Sequence, residues 1–354
     1  MAGPVLVWIV RNVGITVPGT DWRTAIVPVV PRNILPADDR TPAQYVLPLP
    51  DQLEILVKRP IRRFVYPIYK FLINEWMGRR YQTMCRFPVD QWLWGQRGND
   101  FEVHRRRVNK IFPLRGQRLL IAGCGTGRDI ISWLPYSPEL VIGTDYFRYD
   151  RAWSLLHHQV AQKYPHVMLE FTQSDLSHIE HFSDSSLDVV GSDAVFEHVR
   201  NLSDVLLEFH RLLRPGGIVY ATFGPLWYCW GGDHISGYDA IAAGYNHLVL
   251  DRSAYTRYID TLGTFSHSEH DGRTWIENGL FSYLRPTQYL EALEKAGFHR
   301  EYVALIIEPR AIKCLLENPV LASMLLGKHD KFDLIVTGMT IIYRKPHFSI
   351  HERE

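Results

Sequence analysis

Short apolar runs alternate with stretches of helical periodicity along the chain from about residue 101. Because strands buried on both faces are apolar throughout, this alternation predicts a parallel sheet covered by helices on both sides. We expect strands over residues 118–122, 140–144, 167–172, 187–192 and 217–223. Further along, residues 286–296 predict a helix, and residues 301–307 and 332–343 predict strands around a helical insert. The predicted fold class is therefore α/β.

Breaks in this alternation divide the chain into five segments. Residues 1–60 carry many of the 21 prolines, which interrupt helices and sheet ladders, and predict an extended arm. Residues 61–114 predict a helical N-terminal extension, since apolar and aromatic side chains recur there near helical spacing. Residues 115–223 and 286–354 supply the predicted core, with the helical insert in the second part. Residues 224–285, rich in glycine, histidine and aromatic residues, predict an inserted substrate cap.

Charge and cysteine usage narrow the class of protein. Of the 354 residues, 46% are hydrophobic and 22% are charged, as in ordinary globular proteins. Lysine and arginine total 39 against 38 aspartate and glutamate, so no overall positive field favours nucleic acid as a partner. No apolar stretch approaches about 20 residues, so no membrane partner is predicted either. The four cysteines form no CxxC pair and favour a reducing, cytoplasmic location.

The first predicted core strand runs directly into a glycine-rich turn, Gly123-Cys124-Gly125-Thr126-Gly127. Glycines at alternate positions allow positive φ and let a ligand approach the backbone closely. Twenty-two residues after Gly123, the next strand ends at Asp145, whose carboxylate can accept hydrogen bonds from both ribose hydroxyls. The pattern predicts a nucleoside site at this edge of the sheet.

A nicotinamide dehydrogenase also has a glycine turn followed by an acid about 20 residues later. Here, however, the third glycine comes one position early, so the spacing is GxGxG. A dinucleotide needs the longer GxGxxG turn to bring its pyrophosphate to the helix N-terminus. The turn therefore disfavours that class of enzyme.

Taken in order, five short segments resemble the class I methyltransferases that use S-adenosylmethionine, in their small-molecule branch. The segments are residues 122–127, Asp145, residues 174–176, residues 188–199 and residues 213–217. The resemblance implies a Rossmann-like seven-stranded sheet with an antiparallel final hairpin. It also implies S-adenosyl-L-methionine at the carboxyl ends of the first strands, with S-adenosyl-L-homocysteine as product.

The cofactor site implied by this resemblance combines the glycine turn with the ends of the next strands. It comprises Ala122, Gly123, Gly125, Gly127, Asp145, Tyr146, Phe147, Ser174, Asp175, Leu176, Ser192, Asp193 and His198.

The acceptor is predicted to be a small molecule, methylated at an oxygen of a sugar-like or secondary-metabolite scaffold. Residues 192–195 lack the Asn/Asp-Pro-Pro-Tyr loop of enzymes that methylate base nitrogens, and Cys229 is not in the Pro-Cys context of cytosine-carbon enzymes. A hydroxyl acceptor must lose its proton. His234 is the leading candidate base, with Asp233 fixing its tautomer, and His247 is the second candidate.

Several alternatives stay open at this point. The chain could bind the cofactor without catalysis, or methylate carbon or nitrogen without a histidine base. Residues 224–285 hold many histidines and acids, but their spacing does not impose a metal site and none is predicted. A homodimer formed through the N-terminal extension is also compatible with the sequence.

Overall fold

The computed structural model describes residues 75–76, 78–95, 101–180, 182–237, 239–262 and 272–347. The predicted extended arm, residues 1–60, lies outside these ranges.

Eight strands of the described chain form one mixed sheet in the order β1-β7-β8-β6-β5-β2-β3-β4. Neighbouring strands from β2 to β6 are parallel, whereas β8 runs antiparallel between β6 and β7. The strands are β1 (Gln91–Trp94), β2 (Arg118–Ala122), β3 (Leu140–Asp145), β4 (Met168–Gln173), β5 (Leu187–Asp193), β6 (Leu213–Phe223), β7 (His299–Ile307) and β8 (Val336–Arg344).

Helices cover both faces of this sheet. They are α1 (Phe101–Ile111), α2 (Asp150–Lys163), α3 (Leu202–Leu212), α4 (Asn246–Val249), α5 (Arg252–Leu262), α6 (Gly272–Glu277), α7 (Pro286–Lys295), α8 (Pro309–Glu317), α9 (Pro319–Leu326) and α10 (Lys331–Ile335). Short 3-10 turns include Arg128–Ser132 and Phe196–His198. In the described ranges, no helix has both the length and the apolar character needed to cross a bilayer.

Successive residues of the central strands point into two different cores, as the period-two geometry of a strand requires. Leu120 and Val190 belong to the cluster on one face, while Leu119 and Val189 belong to the cluster on the other. Both faces are therefore buried, which is why these strands are apolar at every position.

The α/β fold class and the five predicted core strands are confirmed, with ends that differ by at most four residues. The sheet has eight strands rather than seven, because β1 pairs in parallel with β7 in a segment that was predicted to be helical. Residues 332–335 were predicted as strand but lie in α10, and β8 begins only at Val336. The segment 224–285, predicted to be irregular, contains α4, α5 and α6.

Candidate functional site

The glycine turn follows β2 at the carboxyl edge of the parallel strands. Gly123, Gly125 and Gly127 have φ values of +70°, +52° and +91°, so all three lie in the region that glycine tolerates best. A Cβ on Gly123 would lie 2.3 Å from Cγ2 of Val195, whereas a Cβ on Gly125 would meet nothing within 4 Å. The turn thus packs tightly on the segment after β5 at one glycine and faces open space at the next.

Asp145 is attached directly to this turn. Its carboxylate accepts hydrogen bonds from the N–H of Gly125 (2.7 Å) and the N–H of Phe147 (2.9 Å). The carbonyl oxygen of Thr144 accepts from the N–H groups of Gly123 and Cys124, both at 2.9 Å. Gly125 and Asp145, which are 20 positions apart, therefore meet at one edge, as a ribose site would require, and ribose binding by Asp145 stays a prediction.

Replacement of Asp145 by alanine should weaken S-adenosylmethionine binding by about 1–3 kcal/mol, because the hydrogen bonds expected from the ribose hydroxyls are lost. Titration calorimetry with S-adenosylhomocysteine measures this change. Asp150→Ala is the matched control, since Asp150 pairs with Arg148 on an exposed surface. Equal affinities for the parent chain and Asp145→Ala would contradict the placement of the ribose.

The other predicted cofactor residues of β3 and β4 lie at the same edge. Tyr146 is 64% exposed and its ring meets Phe147 edge-on at 5.3 Å. The Ser174 N–H donates to the Asp145 carbonyl (2.9 Å), while the Asp175 carboxylate accepts from the N–H and hydroxyl of Ser177. Leu176 packs against the core.

At the end of β5, both side chains predicted to bind cofactor are engaged within the protein. The Ser192 hydroxyl donates to the Ala122 carbonyl at 3.1 Å. Asp193 accepts from both terminal nitrogens of Arg105, one at 3.3 Å, and from the Tyr220 hydroxyl at 2.9 Å. The Asp193 carboxylate therefore faces helix α1 beneath the sheet edge.

Sequence reasoning did not identify Arg105, which lies 88 residues from its partner. Its side chain is completely buried, and its guanidinium lies 3.9 Å above the Trp133 ring. Burial lowers the pKa of Arg105, but the adjacent Asp193 raises it further, so the net shift is upward and the charge is retained. In the sequence Arg105 is one of three consecutive arginines before the glycine turn, and nothing there distinguishes the buried one or indicates its partner.

Asp233 is the most enclosed of the predicted catalytic residues. Its carboxylate accepts four hydrogen bonds, from the N–H groups of Ile235 and Ser236 and from the hydroxyls of Ser236 and Tyr255. No hydrogen bond joins it to His234 in the described structure. The imidazole near Asp233 belongs to His247, whose Nδ1 lies 3.8 Å from Oδ1, beyond hydrogen-bond distance.

His247 also uses its other nitrogen within the protein, because Nε2 donates to the Trp227 carbonyl at 2.8 Å. Burial lowers the pKa of His247, and Asp233 offsets part of this effect. A hydrogen bond therefore fixes one side of this ring, while Nδ1 on the other side is buried without a hydrogen-bond partner.

His234 has a different environment. Its Nε2 is buried and has no hydrogen-bond partner, and its backbone adopts a left-handed φ of +67°. The ring centroid lies 5.0 Å from that of His198 and 4.7 Å from that of Trp275. Burial lowers the pKa of His234 well below its usual value, with smaller contributions from His198 and His247. The imidazole is thus neutral near pH 7 and keeps an available lone pair.

His234 lies next to the segment after β5, because its ring contacts that of His198. His198 follows Glu197, whose Oε1 accepts from the Gly224 N–H at 3.0 Å. Val195, in the same segment, contacts Gly123 of the glycine turn. The chain from Val195 to His198 therefore connects the predicted cofactor site with His234. Four further histidines and acids of residues 224–285, His267, Glu269, His270 and Asp271, lie outside the described residues.

Comparisons with known proteins place residues of this chain in a sequence family. Residues 120–221 match the sequence family described as "Methyltransferase domain". The malonyl-[acyl-carrier protein] O-methyltransferase of Yersinia pestis is 24% identical over 194 residues, covering 50% of this chain and 69% of that protein.

Two solved structures illustrate the structural similarity. An S-adenosylmethionine-dependent methyltransferase from Mesorhizobium loti is 19% identical, covers 68% of this chain and 96% of its own, and has a TM-score of 0.43. Phosphoethanolamine N-methyltransferase 2 of Haemonchus contortus, solved with S-adenosyl-L-methionine, is 20% identical, covers 68% of this chain and 51% of its own, and has a TM-score of 0.41.

Proposed function

Since this chain belongs to the class I S-adenosylmethionine-dependent methyltransferases, we propose that it transfers the cofactor's methyl group to a hydroxyl oxygen of a small-molecule acceptor. The observation that carries the proposal is the buried, unpartnered Nε2 of His234, beside the segment that contacts the glycine turn. The cofactor is S-adenosyl-L-methionine, and its product is S-adenosyl-L-homocysteine.

The reaction is an in-line displacement at the methyl carbon. A lone pair of the acceptor oxygen forms the new O–C bond, and the electron pair of the breaking C–S bond stays on sulfur. As the O–C bond forms, the hydroxyl oxygen gains positive charge and its proton becomes strongly acidic. A neutral imidazole with a lowered pKa can therefore take that proton on Nε2, although its intrinsic basicity is modest.

The aromatic surroundings of His234 support an acceptor with a flat apolar face. Trp275 contacts both His234 and His198, and Phe281 lies 5.6 Å from His234 and 4.7 Å from Trp227 between ring centroids. Such rings pack against the apolar face of a sugar or of an aromatic secondary metabolite. We therefore place the acceptor in this class of molecules.

Replacement of His234 by asparagine tests the proposed base. Asparagine tolerates the left-handed backbone at this position, so the variant should fold. We expect turnover to fall about a hundredfold, the lower end of the range for general-base catalysis, because the imidazole is a weak base here. Release of S-adenosylhomocysteine with an acceptor found by screening sugars and phenolic metabolites gives the rate, and calorimetry should show unchanged cofactor affinity.

The same assay separates the alternatives. His247→Asn should reduce turnover less, because Nε2 of that ring already donates to the Trp227 carbonyl and Nδ1 lies beside the Asp233 carboxylate. A larger loss in His247→Asn than in His234→Asn would assign the proton transfer to His247. Unchanged turnover in both variants would contradict a histidine base and favour a carbon or nitrogen acceptor. Cofactor binding without turnover of any acceptor would favour a non-catalytic binding module.

A cytoplasmic location and a homodimer formed through the N-terminal extension also remain proposals. All four cysteines are unpaired and buried, which supports the reducing compartment.

A further inference from the structure

Three potential metal ligands converge beside the predicted cofactor site. Glu197 and His198 lie in the 3-10 turn that follows β5, and His234 lies in the segment that follows β6. One ligand atom from each residue lies within 4.8 Å of the other two. His234 is 36 or 37 positions from the adjacent pair Glu197 and His198, so the fold rather than a local motif assembles the three side chains.

Glu197 supplies a carboxylate oxygen that the protein leaves unsatisfied. The residue is 1% exposed, and while Oε1 accepts from the Gly224 N–H, Oε2 is buried without a hydrogen-bond partner. Burial raises the pKa of this carboxyl to about 8. A buried polar atom without a partner destabilises the fold, and a bound cation would remove that penalty.

His198 has the tautomer that a metal ligand needs. Its Nδ1 lies 2.8 Å from the Leu280 carbonyl oxygen, which can only accept, so Nδ1 carries the proton. The lone pair of the neutral ring is then on Nε2. Metal-binding histidines commonly donate their second nitrogen to a backbone carbonyl in this way, which fixes the orientation of the ring.

His234 supplies the third ligand through the same Nε2 that has no partner in the protein. The residue is held in a left-handed conformation, and such outliers are concentrated at sites where geometry matters. Two neutral imidazoles and one carboxylate form the donor set of many three-ligand zinc sites.

We propose that Glu197, His198 and His234 bind a divalent transition-metal ion, with Zn²⁺ as the best match. A four-coordinate zinc with bonds of about 2.0–2.1 Å holds neighbouring ligand atoms about 3.3 Å apart. Since the ligand atoms are at most 4.8 Å apart, closure requires their separations to shorten by no more than about 1.5 Å. The fourth position is left for water or a ligand.

Metal binding has a consequence for catalysis that depends on the proposed function. The ion uses the His234 lone pair that would otherwise accept the hydroxyl proton. Zinc at this site therefore inhibits methyl transfer in competition with the base.

Zinc binding is tested on the full chain after treatment with a chelator. Calorimetric titration with ZnCl₂ should detect one bound equivalent of zinc. Glu197→Gln and His234→Asn should each lower the affinity for zinc at least about tenfold. Glu197→Gln keeps an oxygen for the Gly224 N–H, so the fold should persist. His158→Asn is the matched control, because His158 is on the surface of α2 and contacts Gln162. Equal affinity and stoichiometry in the parent chain and both ligand variants would overturn the proposal.

Cobalt and activity measurements give independent readouts. Co²⁺ should produce the strong visible bands of a four-coordinate ion with nitrogen and oxygen ligands in the parent chain and lose them in both variants. The absence of such bands in the parent chain would contradict the proposed coordination. If zinc binds at these residues and lowers turnover, the metal site and the base are both supported. If zinc binds there and raises turnover, the site stands and His234 is not the base.

Discussion

Replacement of Arg105 by methionine should lower the free energy of unfolding by about 3–5 kcal/mol, because it leaves the Asp193 carboxylate buried without its counter-charge. The side chains of Arg105 and Asp193 are almost completely removed from solvent. Without Arg105, the Asp193 carboxylate would keep a hydrogen bond from the neutral Tyr220 hydroxyl. Methionine fills a similar volume, so the loss reports the charge rather than a cavity. Urea-induced unfolding followed by tryptophan fluorescence measures the change.

The neighbouring position provides the control for this prediction. Arg106 lies on the same helix, is 61% exposed in its side chain and pairs with Glu102 at 3.5 Å, so Arg106→Met should change stability by no more than about 0.5 kcal/mol. Addition of Asp193→Asn to Arg105→Met removes the uncompensated charge and should restore part of the loss. A double variant as unstable as the sum of both single variants would show that the ion pair is not the cause.

The Arg105–Asp193 pair also marks the limit of prediction from the sequence. The parallel strands were predictable because their apolar runs are short, regular and separated by helical periodicity. The glycine turn and Asp145 were predictable as neighbours, since carboxyl ends of parallel strands meet at one edge. Arg105 and Asp193 are 88 residues apart, and no local pattern indicates which buried charge meets which.

Three other differences also have physical reasons. Residues 331–335 combine three apolar with two charged residues in a segment too short for periodicity to assign to helix or strand, and the structure makes it one helical turn. Strand β1 has only four residues, and its partner strand, β7, lies about 210 positions later in the sequence.

Likewise, Asp233 precedes His234 in the chain, but its side chain turns towards Ser236 and Tyr255. Adjacent positions do not ensure adjacent side chains.

Gly123→Ala should disrupt cofactor binding through a single added methyl group. The new Cβ would lie 2.3 Å from Cγ2 and 3.0 Å from Cγ1 of Val195, and alanine would have to adopt a φ of +70°. The left-handed backbone costs about 1–2 kcal/mol, and overpacking costs about 1–3 kcal/mol. Since the turn must then move away from Asp145, which holds Gly125, we expect affinity for S-adenosylhomocysteine to fall at least about a hundredfold in calorimetry.

Gly116→Ala separates the two contributions to this loss. Gly116 has a φ of +72° but no atom within 4 Å of an added Cβ, so it carries the backbone cost alone and should leave cofactor affinity unchanged. Val195→Ala in the Gly123→Ala background removes the two methyl groups that meet the new Cβ, and should recover part of the affinity while the backbone cost persists. Without any recovery, steric contact with Val195 would be excluded as the cause. In that case the conformation of the turn itself, rather than its packing on the segment after β5, would control the cofactor site.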